Sequence, residues 1–229
     1  MANLATSTWP QIGQYDVVLI PLGSTEQHGP HLPFDTDTVI AVAVAEEVCN
    51  LLGQSSLSVL VSPALPIGSS GEHQGFPGTI SMGNDALRLV VIELARSVKN
   101  WAPRVVFVNG HGGNAPVLSD AVKQLVHEGH MATWVSCGIP GQDAHAGREE
   151  TSLMLHLAPE HVDMTAAQLG VIEPLAELLP VLMKEGVQAV SPNGVLGDPT
   201  GASAEEGITF LSTMVSTAAE SIRQFVAQH

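Results

Sequence analysis

Four short apolar runs constrain the fold of this chain more than any other feature. Asp16–Leu22 reads Asp-Val-Val-Leu-Ile-Pro-Leu, Leu57–Val61 reads Leu-Ser-Val-Leu-Val, Arg104–Val108 reads Arg-Val-Val-Phe-Val, and Met131–Ser136 reads Met-Ala-Thr-Trp-Val-Ser. The first is β-branched and lacks polar alternation, the pattern of a strand buried on both faces. Between the runs lie segments with helical spacing. Thr38–Leu52 ends at Gly53, a plausible C-cap. Asp85 to about Asn100 follows Asn84, which is suited to cap a helix. Ala115–Glu128 and Arg148–Leu157 follow, and Ser203 with Glu206 forms a capping-box signature before a helix reaching about Ala227. Strands alternating with helices imply an α/β fold with a mainly parallel sheet covered on both faces.

In such folds, ligands bind beyond the carboxyl ends of the strands. Three polar clusters sit there. The first, Glu26 to Asp37, packs two histidines and three carboxylates into twelve residues. The second is Asn109-Gly110-His111-Gly112-Gly113-Asn114, and the third is His145-Ala146-Gly147-Arg148-Glu149-Glu150. Each follows a strand, so one sheet edge collects all three. The Gly-, Pro- and Ser-rich stretch 63–83 is a long loop of the kind that is often functional. Gly138–Gly147 is another loop, and Val171–Thr200 is mixed.

Glu26 and His28 are two apart, so in extended backbone both point to one side. Pro30 and Pro33 keep the following segment out of helix. Asp37 shares a face with Asp35, for which a capping or structural role is the simpler reading. The glycines around His111 let backbone approach a ligand closely, and bare amides there suit an anion. A phosphate cradle is disfavoured because that loop holds no Lys or Arg. His145 falls in a loop and Glu150 in the first turn of a helix. His127, His130, His156, His161 and His229 read as ordinary core or surface histidines.

Buried imidazoles and carboxylates need a partner, and a divalent cation is the simplest one. Without thiolates, Zn²⁺, Mn²⁺ or Fe²⁺ fits. Glu26, Asp37 and Glu150 supply three negative charges, which a hydroxide would complete around two divalent ions. Two such ions polarise a carbonyl and hold hydroxide near neutral pH. The reaction class is hydrolysis of an unactivated amide.

Composition narrows the partners. A chain of 229 residues suits one α/β domain spanning 1–229. It is 45% hydrophobic and only 14% charged, a packed globule. A net formal charge of −15 argues against nucleic acid and anionic membranes. Cys49 and Cys137 are its only cysteines and form no Cys-x-x-Cys pair, which points to the cytoplasm. Met1–Gln14 lacks the basic and apolar regions of a signal peptide, and no run reaches the roughly 18 apolar residues that span a bilayer.

Five blocks together resemble the creatininase family of metal-dependent amidohydrolases: residues 22–37, Gly71–Ser81, Asn109–Asn114, His145–Gly147 with Glu150-Thr151-Ser152, and Gly194–Pro199. The resemblance implies a three-layer α/β/α fold and a homo-oligomer with two divalent metal ions per subunit, Zn²⁺ and/or Fe²⁺, with Mn²⁺ also suited. By position, Glu26 and His111 would hold one ion, His28 and Glu150 the other, and Asp37 would bridge. His145 would be the proton shuttle, with Glu150 beside it in the catalytic set. Creatininase itself carries an aromatic residue and a glutamate ligand after the third-block histidine, where this chain has Gly112 and Gly113. That change argues against creatinine and makes Glu150 the replacement ligand. Many relatives carry an acid where this chain has Arg148, which would make the pocket mouth more cationic. Glu72, His73, Gly112, Gly113 and Arg148 are candidate substrate contacts. Among Gly-Gly members, the chain resembles a peptidase branch that releases a modified C-terminal Val-Tyr dipeptide. The alternatives are a deformylase or cyclic-amide hydrolase acting on a small heterocycle, and a metal-free peptide-binding member. Retention of all six site residues argues against the last.

Overall fold

The computed structural model describes residues 3–55 and 57–228. Met1 and Ala2, the start of the segment read for a leader, and His229 lie outside the described residues. Four strands, β1 (Val17–Leu22), β2 (Val59–Val61), β3 (Arg104–Asn109) and β4 (Met131–Ser136), form one parallel sheet in the order β2-β1-β3-β4. The helices are α1 (Thr36–Gly53), α2 (Gly83–Val98), α3 (Ala115–His127), α4 (Arg148–Leu157), α5 (Leu175–Glu185), α6 (Val187–Val190) and α7 (Ala204–Ala227).

Side chains on β1 alternate between two cores. Val17 and Leu19, with Val59, Val61, Val106 and Val108, face α1, α4 and α7. Val18, Ile20 and Leu22, with Val105 and Phe107, face α2 and α3. The sheet is therefore the middle of three layers, which is why β1 carries no polar position. Each fully buried aliphatic side chain contributes roughly 1.5–3 kcal/mol. Among the described residues, no helix is long and apolar enough to cross a membrane.

Several local expectations are corrected. α2 begins at Gly83, with Met82 at the N-cap position. Asn84 is no cap, because its Oδ1 accepts the Ser69 hydroxyl at 2.5 Å. Gly53 is the last helical residue of α1 and not the residue beyond it. Asp35 holds the N-cap position of α1 but makes no side-chain cap bond. Ser203 caps α7 by accepting the Glu206 amide at 3.2 Å. The reciprocal half of the box is missing, since the Glu206 carboxylate is engaged by Arg148.

The strand order places the site. The chain leaves β1 through α1 to one side and later crosses to β3 on the other. The loops after β1 and β3 therefore diverge, and their carboxyl ends open a crevice at this switch point.

Candidate metal centre

Glu26, His28 and Asp37 follow β1, and His111 follows β3, so all four border that crevice. Two glycines let the first turn of α1 come this close. A Cβ on Gly23 would overlap Thr38, and one on Gly110 would overlap the carbonyl oxygen of Asp37. His145 is held across the crevice by paired backbone hydrogen bonds with Leu196. Ala146, next to it, is the only described non-glycine residue with positive φ (52°), a strained conformation of the kind found at functional sites. Its amide donates to Glu150 Oε2 at 2.6 Å, tying the first turn of α4 to the His145 loop.

These side chains form two triads that share Asp37: Glu26, Asp37 and His111, and His28, Asp37 and Glu150. Asp37 Oδ1 lies 3.1 Å from His28 Nε2, while Oδ2 lies 3.4 Å from His111 Nδ1 and accepts the Ser24 hydroxyl at 2.6 Å. Its two oxygens thus face different histidines. A third grouping, Glu26, His28 and His145, is also close enough to hold an ion. His28 Nε2 is 3.8 Å from Glu150 Oε2.

Glu26 tests whether a cation fits. Its side chain is fully buried, and neither carboxylate oxygen has a hydrogen-bond partner among the described residues. Oε1 sits 3.1 Å from His111 Nδ1, 3.3 Å from His73 Nε2 and 3.8 Å from His145 Nδ1. A buried carboxylate compensated only by nearby imidazoles is costly, and a divalent ion removes that cost. The donor set, imidazole and carboxylate, fits a divalent metal.

The protonation states agree. Burial lowers the His28 pKa, but the charge of Asp37, its hydrogen bond and then Glu150 and Glu26 outweigh it and raise the pKa to about 10. His111 is likewise raised despite burial, first by the charge of Glu26. Without a cation these imidazoles keep protons that a metal ion must displace. Metal affinity should therefore rise with pH through the neutral range, by roughly tenfold per pH unit for each proton displaced. Isothermal titration at pH 6 and pH 8, with proton release read from buffers of different ionisation enthalpy, checks this; pH-independent affinity would contradict it.

His145 differs. Burial, then the charge of His28, lowers its pKa to about 4. Its Nε2 lies 2.8 Å from the backbone carbonyl of Gln27 and 3.1 Å from the side-chain Nε2 of Gln27. A proton on Nε2 held by the Gln27 carbonyl leaves Nδ1 as the nitrogen that exchanges protons, which suits a shuttle. Its ring stacks between His28 and His73, with centroids 4.3 and 4.4 Å away.

Sequence reasoning missed Gln27. Its amide donates to His73 Nδ1 (2.9 Å) and the Gly194 carbonyl (3.1 Å), and accepts from the Gly29 amide (2.8 Å). It thereby links the first, second, fourth and fifth sequence blocks. A neutral amide beside two histidines carried no charge signal. His31 reaches Thr151 Oγ1 at 2.9 Å and stays outside the cluster.

A cavity of about 850 Å³ opens over the triads. Its polar side includes Asp37, Glu72, His73, His111, His145 and Glu150, with the backbone of Gly112 and Gly113. Leu175, Leu179, Leu182 and Met183 of α5 add an apolar part to its lining. Arg148 is not brought to this cavity. Its guanidinium makes a two-pronged bond to Glu206 of α7, with Nη2–Oε1 at 2.7 Å and Nε–Oε2 at 3.0 Å. The cationic contribution expected of Arg148 is thus replaced by a surface ion pair.

Comparison with known proteins gives the chain's relatives and fold. The family model described as "Creatininase: Creatinine amidohydrolase" matches residues 5–222. The chain is 54% identical over 213 residues to the "Mycofactocin precursor peptide peptidase" of Mycobacterium ulcerans, covering 91% of this chain and 83% of that protein. It is 49% identical over 226 residues to the protein of the same name from Mycolicibacterium smegmatis, covering 98% and 92%. A solved structure described as "Creatininase Mn" superposes with TM-score 0.79 at 28% identity, covering 97% of this chain and 98% of that one. Another creatininase variant is described as a Zn-Zn type.

Proposed function

The chain belongs to the creatininase family and is a hydrolase of amide C–N bonds, and we propose that it is the peptidase that releases the modified C-terminal Val-Tyr dipeptide from the mycofactocin precursor peptide. The similarity to the two mycobacterial peptidases carries this reading. The apolar α5 wall supports it, because a bulky aliphatic or aromatic segment would cover Leu175, Leu179 and Met183, whereas a small polar heterocycle would leave them bare.

In this reading Glu26, Asp37 and His111 would hold one divalent ion, and His28, Asp37 and Glu150 would hold the other. Zn²⁺ and/or Fe²⁺, or Mn²⁺, suits the donors. Two divalent ions bound there would supply Lewis acidity for the scissile carbonyl and for a water nucleophile near neutral pH. Asp37, whose Oδ1 faces His28 and Oδ2 faces His111, would tie the two sites together. His145 Nδ1, facing Glu26 across 3.8 Å, takes up a proton and delivers it to the leaving amine. The Gln27 carbonyl holds the ring's other nitrogen throughout. His73, Gly112 and Gly113 line the path of the substrate backbone. A homo-oligomer in the cytoplasm completes the reading. The low cysteine count supports the compartment, and exposed Trp9 and Ile172 support an interface.

The test is mass spectrometry of one mixture holding the processed precursor peptide, creatinine and a formamidopyrimidine, with and without a chelator. Chelator-sensitive appearance of the C-terminal dipeptide is expected. Consumption of a heterocycle with the peptide intact would replace the peptidase by the deformylase or cyclic-amide reading.

A further inference from the structure

The Asn109–Asn114 block has no carboxylate of its own, and one from elsewhere fills the space. A Cβ on Gly113 would overlap both Glu72 Oε1 and His111 Nε2. Glu72 comes from the 3-10 turn Gly71–His73, in the long loop after β2. Its Oε1 lies 3.3 Å from His111 Nε2, which also lies 3.2 Å from the Ser69 carbonyl. The other ring nitrogen, Nδ1, faces Glu26 and Asp37 at 3.1 and 3.4 Å. The two edges of the ring therefore have different tasks. Nδ1 points into the first triad, and the Nε2 edge points out toward a neutral oxygen and a charged one.

We propose that Glu72 is a positioning residue of the Glu26–Asp37–His111 site. Its carboxylate holds the Nε2–H edge of His111, fixes the ring and strengthens Nδ1 as a metal donor, and Gly113 leaves the room it needs. A carboxylate behind a metal-binding imidazole raises the basicity of the other nitrogen and sets the tautomer. The Ser69 carbonyl also sets the tautomer, so the charge is what Glu72 adds. The side chain is 31% exposed and reaches the cavity surface, which makes substrate binding the rival role. The inference rests on the two-metal reading above.

The experiment is a Zn²⁺ titration of the full-length protein against a chromogenic chelator. Wild type, Glu72→Gln and Glu72→Ala are compared, and melting of the metal-free proteins reports folding. Glu72→Gln keeps shape and an oxygen but removes charge, so it decides the matter if the alanine variant does not fold. One of two sites should weaken by roughly tenfold or more in Glu72→Gln, with the second site unchanged. Excess Zn²⁺ should restore turnover, with KM for the peptide near wild type. Wild-type affinity at both sites in both variants would overturn the proposal, and a raised KM alongside it would assign Glu72 to substrate. A wild-type protein that binds no Zn²⁺ would remove the two-metal reading and this inference with it, an outcome distinct from a loss confined to the variants.

Discussion

Asp37→Ala is expected to lose both metal ions, whereas Glu150→Ala should lose mainly one. Asp37 is almost fully buried, and it alone among the described residues belongs to both the His111 and the Glu150 triads. Burial pushes its carboxyl upward in pKa, but the charge of His28 with its hydrogen bond, then His111 and the Ser24 hydroxyl, hold it below the usual carboxylate range. It is therefore ionised wherever the protein is folded near neutral pH. Removing it takes one donor from each triad and leaves Glu26 and two imidazoles facing an emptied centre. Glu150 belongs to one triad, and its side chain is one-fifth exposed. Metal-to-protein ratios measured on variants purified without chelator decide this. The isosteric Asp37→Asn should follow Asp37→Ala, with activity lost in both. Equal metal loss in Asp37→Ala and Glu150→Ala would refute the bridging assignment.

His145→Ala should keep both ions and lose activity by roughly 10²-fold or more, the usual worth of a positioned acid or base. Its Nδ1 is 3.8 Å from Glu26 Oε1, near enough to the reacting centre to move a proton. It also lies within reach of an ion held by Glu26 and His28. Metal content separates the two roles: a shuttle leaves it unchanged, whereas a ligand takes one ion with it. Near-normal turnover in the variant would remove His145 from the mechanism. The pKa of about 4 in the metal-free protein means that the ring rests neutral, so it must acquire the proton during the reaction before delivering it to the amine.

Much of the fold was legible because the strands carry their environment in their composition. β1 has no polar position since α1, α4 and α7 cover one face and α2 and α3 the other. Helix starts were less legible. The Asn84 amide, a good cap by type, is taken by Ser69 from a loop fifteen residues earlier. Glu206 completes a capping box by spacing, yet its carboxylate goes to Arg148, fifty-eight residues away. Local pattern cannot register a partner that only tertiary packing brings near.

By itself the sequence determined which residue types could carry the chemistry and that they would meet. Glu26, His28, Asp37, His111, His145 and Glu150 all follow strands, and parallel strands end at one edge. Tertiary structure decided the distances at which they gather into two triads around Asp37, a division the family resemblance had implied, because those distances depend on how closely α1 approaches the β3 loop past Gly23 and Gly110. It alone removed Arg148 from the cavity, brought in Gln27, set Glu72 behind His111 and raised an apolar wall from α5. Those outcomes turn on distances between segments far apart in the chain. Electrostatic and hydrogen-bond energies change steeply over an ångström or two, a scale that residue spacing does not encode.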